Sequence, residues 1–504
     1  DAVSGVSRQI QAAFDYDAAG RVLAVTTTDL VSGDEQKVQT EYDPAGHVVR
    51  EVAADGESEV TYTYDAVGCP VAVTDERGVV TKSSCDRYGR ITRTVESGYT
   101  SPVTPDAAPE DRVVAQYTYD SHGRVATWTG ADGVKQSYTY TVDGLVEKVE
   151  QTSTAGETVV AEQTVHDALG HPVKVTGWPG RSVENTTVTE YDANTRPVET
   201  WVRVPAVSTE HGEVLGHTRR WVNTYDADGR VVKRVLDDGA GQVETAESTV
   251  FNTAGYPVQV TVGVGDQAAT THVGYNQRGE RVWQTDPRGN GPRDPQWTSE
   301  FTFDVVGNPV SVTGPQMAVT TSEGADEQVR PRTRMGYDSF GRPSVTEDEL
   351  GHRSTVTYDA KSQVVEESAP AVRVHGRSEP VSATMQMVYD RAGNVVQSTD
   401  PAGTVTRFAY DSSGNLVRTE RDGATDQAAP RVTTATFNAA GQPVSAVDVD
   451  GTRTTIEYDQ WGRPATSTVA ADGAERTETM EFDLAGNLVS ATSSGGAVSR
   501  WSYN

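Results

Sequence analysis

The side chains in this chain best equipped for chemistry are phenols beside carboxylates. An aromatic ring is followed at once by Asp and, four residues after the ring, by Gly, with ring positions 16, 42, 64, 85, 119, 140, 166, 191, 225, 251, 275, 303, 337, 358, 389, 410, 437, 458 and 482. A phenol and a carboxylate side by side suit general acid–base catalysis only if both groups are required. The replacements say they are not. The ring is Tyr in thirteen copies, Phe in four (Phe251, Phe303, Phe437, Phe482) and otherwise Cys85 or His166, so the position wants a large ring and does not require its hydroxyl. The acidic position is Asp in fifteen copies, Asn252, Asn276 and Asn438 in three, and Thr141 in one. Asp and Asn share an oxygen that can accept a hydrogen bond from the backbone two residues on, whereas a catalytic carboxylate would not be exchanged for an amide so freely. Gly holds the last position in seventeen copies, with Thr195 and Ser362 departing, as expected of a positive-φ residue closing a type I turn with a G1 bulge. Tyr42-Asp43-Gly46, Tyr64-Asp65-Gly68, Tyr119-Asp120-Gly123, Tyr225-Asp226-Gly229, Tyr389-Asp390-Gly393, Tyr410-Asp411-Gly414 and Tyr458-Asp459-Gly462 are therefore read as structural turns.

Other chemistry is sparse. The nine histidines are scattered, and no HExxH, Gly-x-Ser-x-Gly, P-loop or CxxC pattern occurs. Asp226-Ala227-Asp228-Gly229 and Asp448-Val449-Asp450-Gly451 open like calcium loops but lack the remaining oxygen ligands and the later Glu, so turn chemistry is the better reading. The two cysteines, Cys69 and Cys85, sit in neighbouring repeats; they can form a disulfide if the protein is secreted, or stand as two buried free thiols, and they make no zinc site. The stretch from Trp283 to Trp297 is rich in Gly and Pro and carries two arginines, Arg288 and Arg293, which suits a solvated connection or a contact surface. No catalytic residue, metal ligand or cofactor site is nominated.

The elements that position these turns are hairpins. In Thr399 to Val417, Asp400-Pro401-Ala402-Gly403 and Asp411-Ser412-Ser413-Gly414 both offer type I turn chemistry. Between them Thr404, Thr406, Phe408 and Tyr410 share one side of a strand of period two. Nineteen copies make a repeat protein, with a lead-in over residues 1–13 and one continuous array over 14–504. The spacing predicts strands in more than half of the chain, almost no helix, and rings of successive units stacked as a ladder. Four longer intervals, at 101–112, 204–220, 314–334 and 369–380, read as longer hairpins or excursions. The first three precede repeats spaced by 106 and 112 residues, hinting at one excursion per coil of a superhelix.

With 36% hydrophobic residues and a mean hydropathy of −0.52, much of the sheet must be wet on one face. A net charge of −29 argues against nucleic acid as a partner, which demands a basic footprint. Only seven of the 43 basic side chains are Lys, a bias read as a coding preference. No apolar run is long enough for a membrane span, and no targeting segment is visible.

The recurrent YDxxGxxV, preceded by DxxG and a strand as in Asp400 to Val417, resembles the YD repeat of the Rhs family, related to toxin-complex shells and to teneurins. The resemblance covers residues 14 to 504 and implies an all-β fold, tandem hairpins wound as a spiral antiparallel sheet into an open or hollow shell. It also implies a non-catalytic bacterial shell segment, secreted or at the cell surface. Its partners would be a C-terminal toxin cargo or another shell segment. The alternative is a surface or wall-associated recognition scaffold without cargo. Fuller members continue into a self-cleaving segment and a toxin, whereas this chain stops at Asn504 inside a twentieth copy beginning at Tyr503, as expected of a fragment or partial shell.

Overall fold

The computed structural model describes residues 9–99, 110–180, 184–204, 207–209, 212–214, 217–320, 326–373, 379–423 and 429–501. Strands take 58% of the chain, and the described residues hold no α-helix, only a single 3-10 turn at Gly265–Gln267. Thirty-nine strands form one antiparallel sheet. Pairing is sequential: Ile10–Tyr16 joins Val22–Asp29, Val22–Asp29 joins Glu35–Tyr42, and so on to Val498–Arg500 against Leu488–Thr492. The sheet is a single meander and is not closed.

Each hairpin closed by a ring-Asp-Gly turn carries a register slip beside its ring. In Val405–Tyr410 against Leu416–Arg421 the pairs Tyr410↔Leu416 and Ala409↔Arg418 leave Val417 as one extra residue beside the ring, a β-bulge three residues past the turn glycine Gly414. The same slip recurs at Tyr42, Tyr64, Cys85, His166, Phe251 and the other ring positions. Along Val405–Tyr410 the side chains of Thr406, Phe408 and Tyr410 are partly covered while Arg407 and Ala409 are exposed, so the period-two reading holds.

Few side chains are fully buried, as expected of a wall one sheet thick. The apolar ones are scattered, among them Val52, Val95, Val159 and Leu236. Several of the most buried residues are polar: Ser58 at 0%, Asp29 at 3%, and Glu96 and Ser153 at 4% exposure. They lie where the chain has wound round and laid its later turns over its earlier ones. Ser58 donates to the Arg391 carbonyl, Ser412 and Ser413 donate to the Glu96 carboxylate, and Ser153 donates to the Gln460 side chain. These bonds join residues 307 to 333 apart, and Lys361 reaches Glu76 across 285. One coil thus consumes about three times the 106 to 112 residues that the excursion spacing suggested. The interval from coil to coil is therefore not the interval from excursion to excursion.

The excursions are hairpins off the sheet where they are described. Val207–Thr209 pairs with Gly212–Val214, and Met317–Thr320 pairs with Asp326–Val329, each as a separate two-stranded ribbon. The interval 369–380 holds the bridge Val372↔Val381, and most of 101–112 lies outside the described residues, as does the lead-in up to residue 8.

Candidate functional site

Among the described residues, reactive side chains come together repeatedly at the ring-Asp-Gly turn, and its geometry shows what they do. In Asp43, Asp65, Asp120, Asp226, Asp390, Asp411 and Asp459 the backbone N–H donates to the carbonyl four residues on at 2.8–3.0 Å. The N–H of Gly46, Gly68, Gly123, Gly229, Gly393, Gly414 and Gly462 donates back to the Asp carbonyl at 3.0–3.1 Å. Those glycines have φ between +76° and +99°, and the two departures, Thr195 and Ser362, accept the same conformation at +63° and +64°. The conformation belongs to the turn, then, and glycine is its cheapest occupant.

The Asp side chain is fully committed. Oδ1 of Asp120 accepts from the N–H groups of His122 and Arg124 at 2.9 Å, and Oδ2 accepts from Arg124 Nε at 2.7 Å. Burial pushes this carboxyl up, but the bonds from the Arg124 backbone and guanidinium outweigh it and hold the pKa at about 2. Asp17, Asp86, Asp192 and Asp226 make the same set with Arg21, Arg90, Arg196 and Arg230. Both oxygens of such a carboxylate are taken up within its own turn. At Asp226-Gly229 the carboxylates of Asp226 and Asp228 are both taken by Arg230, and at Asp448-Gly451 the Asp450 carboxylate caps the Thr452 N–H.

The residue five after the ring, which sequence reasoning missed, links one repeat to the next. Arg21 lies 4.7 Å over Tyr42, Arg90 and Arg124 lie 4.3 Å over Tyr119 and Tyr140, and Arg196 lies 4.5 Å over Tyr225. Arg230, Arg342 and Arg463 cover Phe251, Tyr358 and Phe482 in the same way. Where the fifth residue is His or Tyr, a ring takes the place of the cation: His47 stacks on Tyr64, His171 tilts against Tyr191, and Tyr256 stacks on Tyr275. Successive rings are therefore bridged by an interposed side chain, where direct ring-on-ring stacking was expected. The Arg excess also gains a physical reason: a planar, always-charged fork can bind a carboxylate with its edge while covering a ring with its face, and Lys cannot.

The phenol hydroxyls are used too. Tyr64, Tyr119, Tyr140, Tyr225, Tyr337, Tyr389 and Tyr410 each donate, at 2.7–2.9 Å, to the carbonyl six residues after the preceding ring. Tyr358 and Tyr458 do the same to Pro343 and Pro443. The Phe copies forgo that bond and keep the ring. A periodic Arg, His, Asn or Gln at the fifth position is the signal in the sequence from which this linkage can be read.

Cys69 and Cys85 are disulfide-bonded, with Cα atoms 6.5 Å apart. The segment between Trp283 and Trp297 is a built loop: the buried Thr285 and Thr298 hydroxyls bond each other at 2.8 Å, Arg293 N–H donates to Thr285, and Arg288 lies 4.1 Å over Trp297. Among the described residues no cluster of three or more His, Cys, Asp or Glu is arranged to hold a metal ion, and no helix is long and apolar enough to cross a membrane.

Residues 42–80, 389–425 and 437–475 match the RHS Repeat family. The chain carries RHS repeats. Over 432 residues it is 27% identical to Double-stranded DNA deaminase toxin A of Burkholderia cenocepacia (strain H111), taking in 75% of this chain and 28% of that protein. It thus spans little more than a quarter of that relative's length. Among solved structures, the TcdB2-TccC3-Cdc42 crystal structure aligns with 96% of this chain and 32% of its own, at 15% identity and a TM-score of 0.41. The Photorhabdus luminescens Tc holotoxin pore with a substituted TccC3 aligns with 98% of this chain and 34% of its own, at 12% identity and the same TM-score. The RHS repeats of this chain are hairpins whose Tyr, Asp and Gly are spent on closing each turn and fastening it to its neighbour.

Proposed function

We propose that this chain is a non-catalytic wall segment that encloses or scaffolds the toxin domain of a secreted or injected bacterial protein. The observation that carries this reading is the commitment of the repeat's reactive groups. Phenols and carboxylates are bonded from repeat to repeat along one continuous sheet that winds back over itself. What remains is a curved, single-layer wall, which suits containment better than turnover. The relative's name supports a toxin setting, and the chain's coverage of 28% of that relative leaves room for the deaminase chemistry elsewhere in it.

Two measurements test the proposal. The chain is co-expressed with a double-stranded DNA deaminase domain of the kind its relative is named for, and the pair is exposed to protease at a dose that digests the free domain. Survival of the domain is expected; digestion at the free rate refutes enclosure. The chain alone is also incubated with double-stranded DNA, where no deamination is expected, and conversion of the DNA would overturn the non-catalytic assignment.

A recognition scaffold without cargo is the second reading, favoured by the built loop at 286–297, whose exposed Arg288 is held in place by Trp297. Binding of a surface partner that is lost on Arg288→Ala, together with an unprotected toxin domain, would select it.

A further inference from the structure

We infer that the Cys69–Cys85 disulfide is a redox-released staple, a covalent replacement for one rung of the ladder that opens when the protein meets a dithiol reductant. The argument starts from position. In ten other repeats the fifth residue after the ring position faces the ring of the next repeat, as Arg124 faces Tyr140 and His47 faces Tyr64. Cys69 is the fifth residue after Tyr64, and Cys85 is the next ring position. The only two cysteines of the chain thus occupy the two sites that touch across a repeat junction, and there they are bonded.

The substitution leaves nothing to fall back on. With the bond cut, this junction has neither cation nor ring, and no phenol to reach the preceding carbonyl. The turn itself keeps its own bonds, Asp65 N–H to the Cys69 carbonyl at 3.0 Å and Cys69 N–H to Asp65 Oδ1 at 2.9 Å. What loosens is the hairpin of Pro70–Thr74 and Val80–Cys85, which the disulfide closes at its base across 16 residues. Its ladder has three pairs, Ala72↔Lys82, Val73↔Thr81 and Thr74↔Val80. Its tip faces the second coil, where Glu76 lies 3.4 Å from Lys361 and Arg77 and Tyr410 line a cleft of about 620 Å³. Freeing the base therefore frees a hairpin whose tip helps hold one coil on the other.

The exchange balances without help from any other group in the protein. Cys69 is 1% exposed while Cys85 is half-buried, so an incoming thiolate bonds to Cys85 Sγ. The S–S electron pair leaves with Cys69, which takes up a proton. The reagent's second thiolate then attacks its own sulfur in the mixed disulfide and releases Cys85 as a thiol, the reagent leaving as its cyclic disulfide. The protein gains two electrons and two protons. Passage from an oxidising to a reducing compartment would drive this step.

Hydrogen exchange of the full chain with and without dithiothreitol tests the staple. Reduction should speed exchange across 70–85 by about tenfold or more, since closing a loop of this size constrains the open ensemble, and should leave 431–482 unchanged. The double variant Cys69→Arg, Cys85→Tyr restores the common rung and should exchange slowly whether or not reductant is present. The inference is overturned if reduction leaves 70–85 unchanged, if thiol titration of the unreduced, denatured chain finds two free thiols, or if the restored variant responds to reductant as the parent does. Should that variant fail to fold, the parent compared with and without reductant decides the matter alone.

Discussion

Asp459 allows the turn's two jobs, accepting from the backbone and pairing with its cation, to be separated. Its Oδ1 accepts from Trp461 N–H at 2.8 Å and Arg463 N–H at 2.9 Å, and its Oδ2 accepts from Arg463 Nε at 2.7 Å. Both side chains are 22% exposed. Asp459→Ala removes every one of these acceptors. At about 1 kcal/mol for each backbone bond and about 0.5 kcal/mol for a solvent-screened ion pair, the loss comes to about 2.5 kcal/mol. Asp459→Asn keeps Oδ1 for the two backbone N–H groups and gives up the charge together with the Oδ2 acceptor for Arg463 Nε, so it should cost about 1 kcal/mol. The chain has already run the companion experiment: Asn438 faces Gln442, its amide donating to Gln442 Oε1 at 2.9 Å, and Asn276 faces Glu280. Donor and acceptor swap together. Asp459→Asn combined with Arg463→Gln should therefore recover part of the single-variant loss, with a coupling of about 0.5–1 kcal/mol. Because repeat arrays do not unfold in one step, the reading is local exchange at the Gly462 amide, supported by denaturant melts. An Asn variant as damaged as the Ala variant would refute the division of labour, and an uncoupled double variant would refute the pairing. The pH response has a fixed sign. Burial raises the Asp459 carboxyl, but the Arg463 bonds win and hold it below its unfolded value of about 3.9. Its contribution should be complete above about pH 4 and fade as pH falls through the folded value.

Gly414→Val should cost about 1 kcal/mol or more, since a β-branched residue resists φ +84° and its Cβ would sit 3.3 Å from Arg77 of the first coil; melts indistinguishable from the parent would contradict this. Thr195→Gly, at φ +63°, should gain about 0.5–1 kcal/mol by the same reasoning run backwards, and a loss on denaturant unfolding would show that its side chain has another task. Tyr410→Phe should cost about 1 kcal/mol for the lost bond to the Val395 carbonyl, seen as faster exchange confined to the two hairpins it joins. Glu96→Ala strands Arg112, 12% exposed, and removes the acceptor for Ser412 and Ser413, a loss of about 3 kcal/mol if the buried pair behaves as such pairs do. Small-angle scattering should then report a more open particle, and an unchanged profile would show the coils are held elsewhere.

The hairpins, the turn glycines and the continuity of the array were legible because each repeat restates them in residues with one conformational reason apiece. Gly46 and Gly414 need positive φ, and Asp43 and Asp411 need a side-chain oxygen near the turn N–H groups. The clamp between repeats was harder to see. Its fifth-position residue varies among Arg21, His47, Asn308 and Gln442, types that share a planar donor group and not a name. The role of the tyrosine hydroxyl was hidden for the opposite reason, since the Phe copies show that a repeat survives without it. The coil length was not legible, because it depends on the twist summed over many strands.

The two kinds of contact in this wall answer to different constraints. Within a coil, each repeat fastens to the next through the same ring, carboxylate and fifth residue, so any one junction can drift while its neighbours hold. Between coils, the polar contacts among the described residues fall at a few unlike places: Ser58 on Arg391, Lys361 on Glu76, Glu96 on Ser412 and Ser413, Arg112 on the Ala439 carbonyl, Ser153 on Gln460. These are buried polar groups, and a buried polar group is tolerated only when its partner is present. An apolar seam would let one coil slide along the other with little penalty. A seam of specific hydrogen bonds fixes where the second coil sits, and it makes separation steep once a single acceptor such as Glu96 is lost. The rigidity of the wall therefore rests on many interchangeable junctions, and its register on a handful that cannot be exchanged.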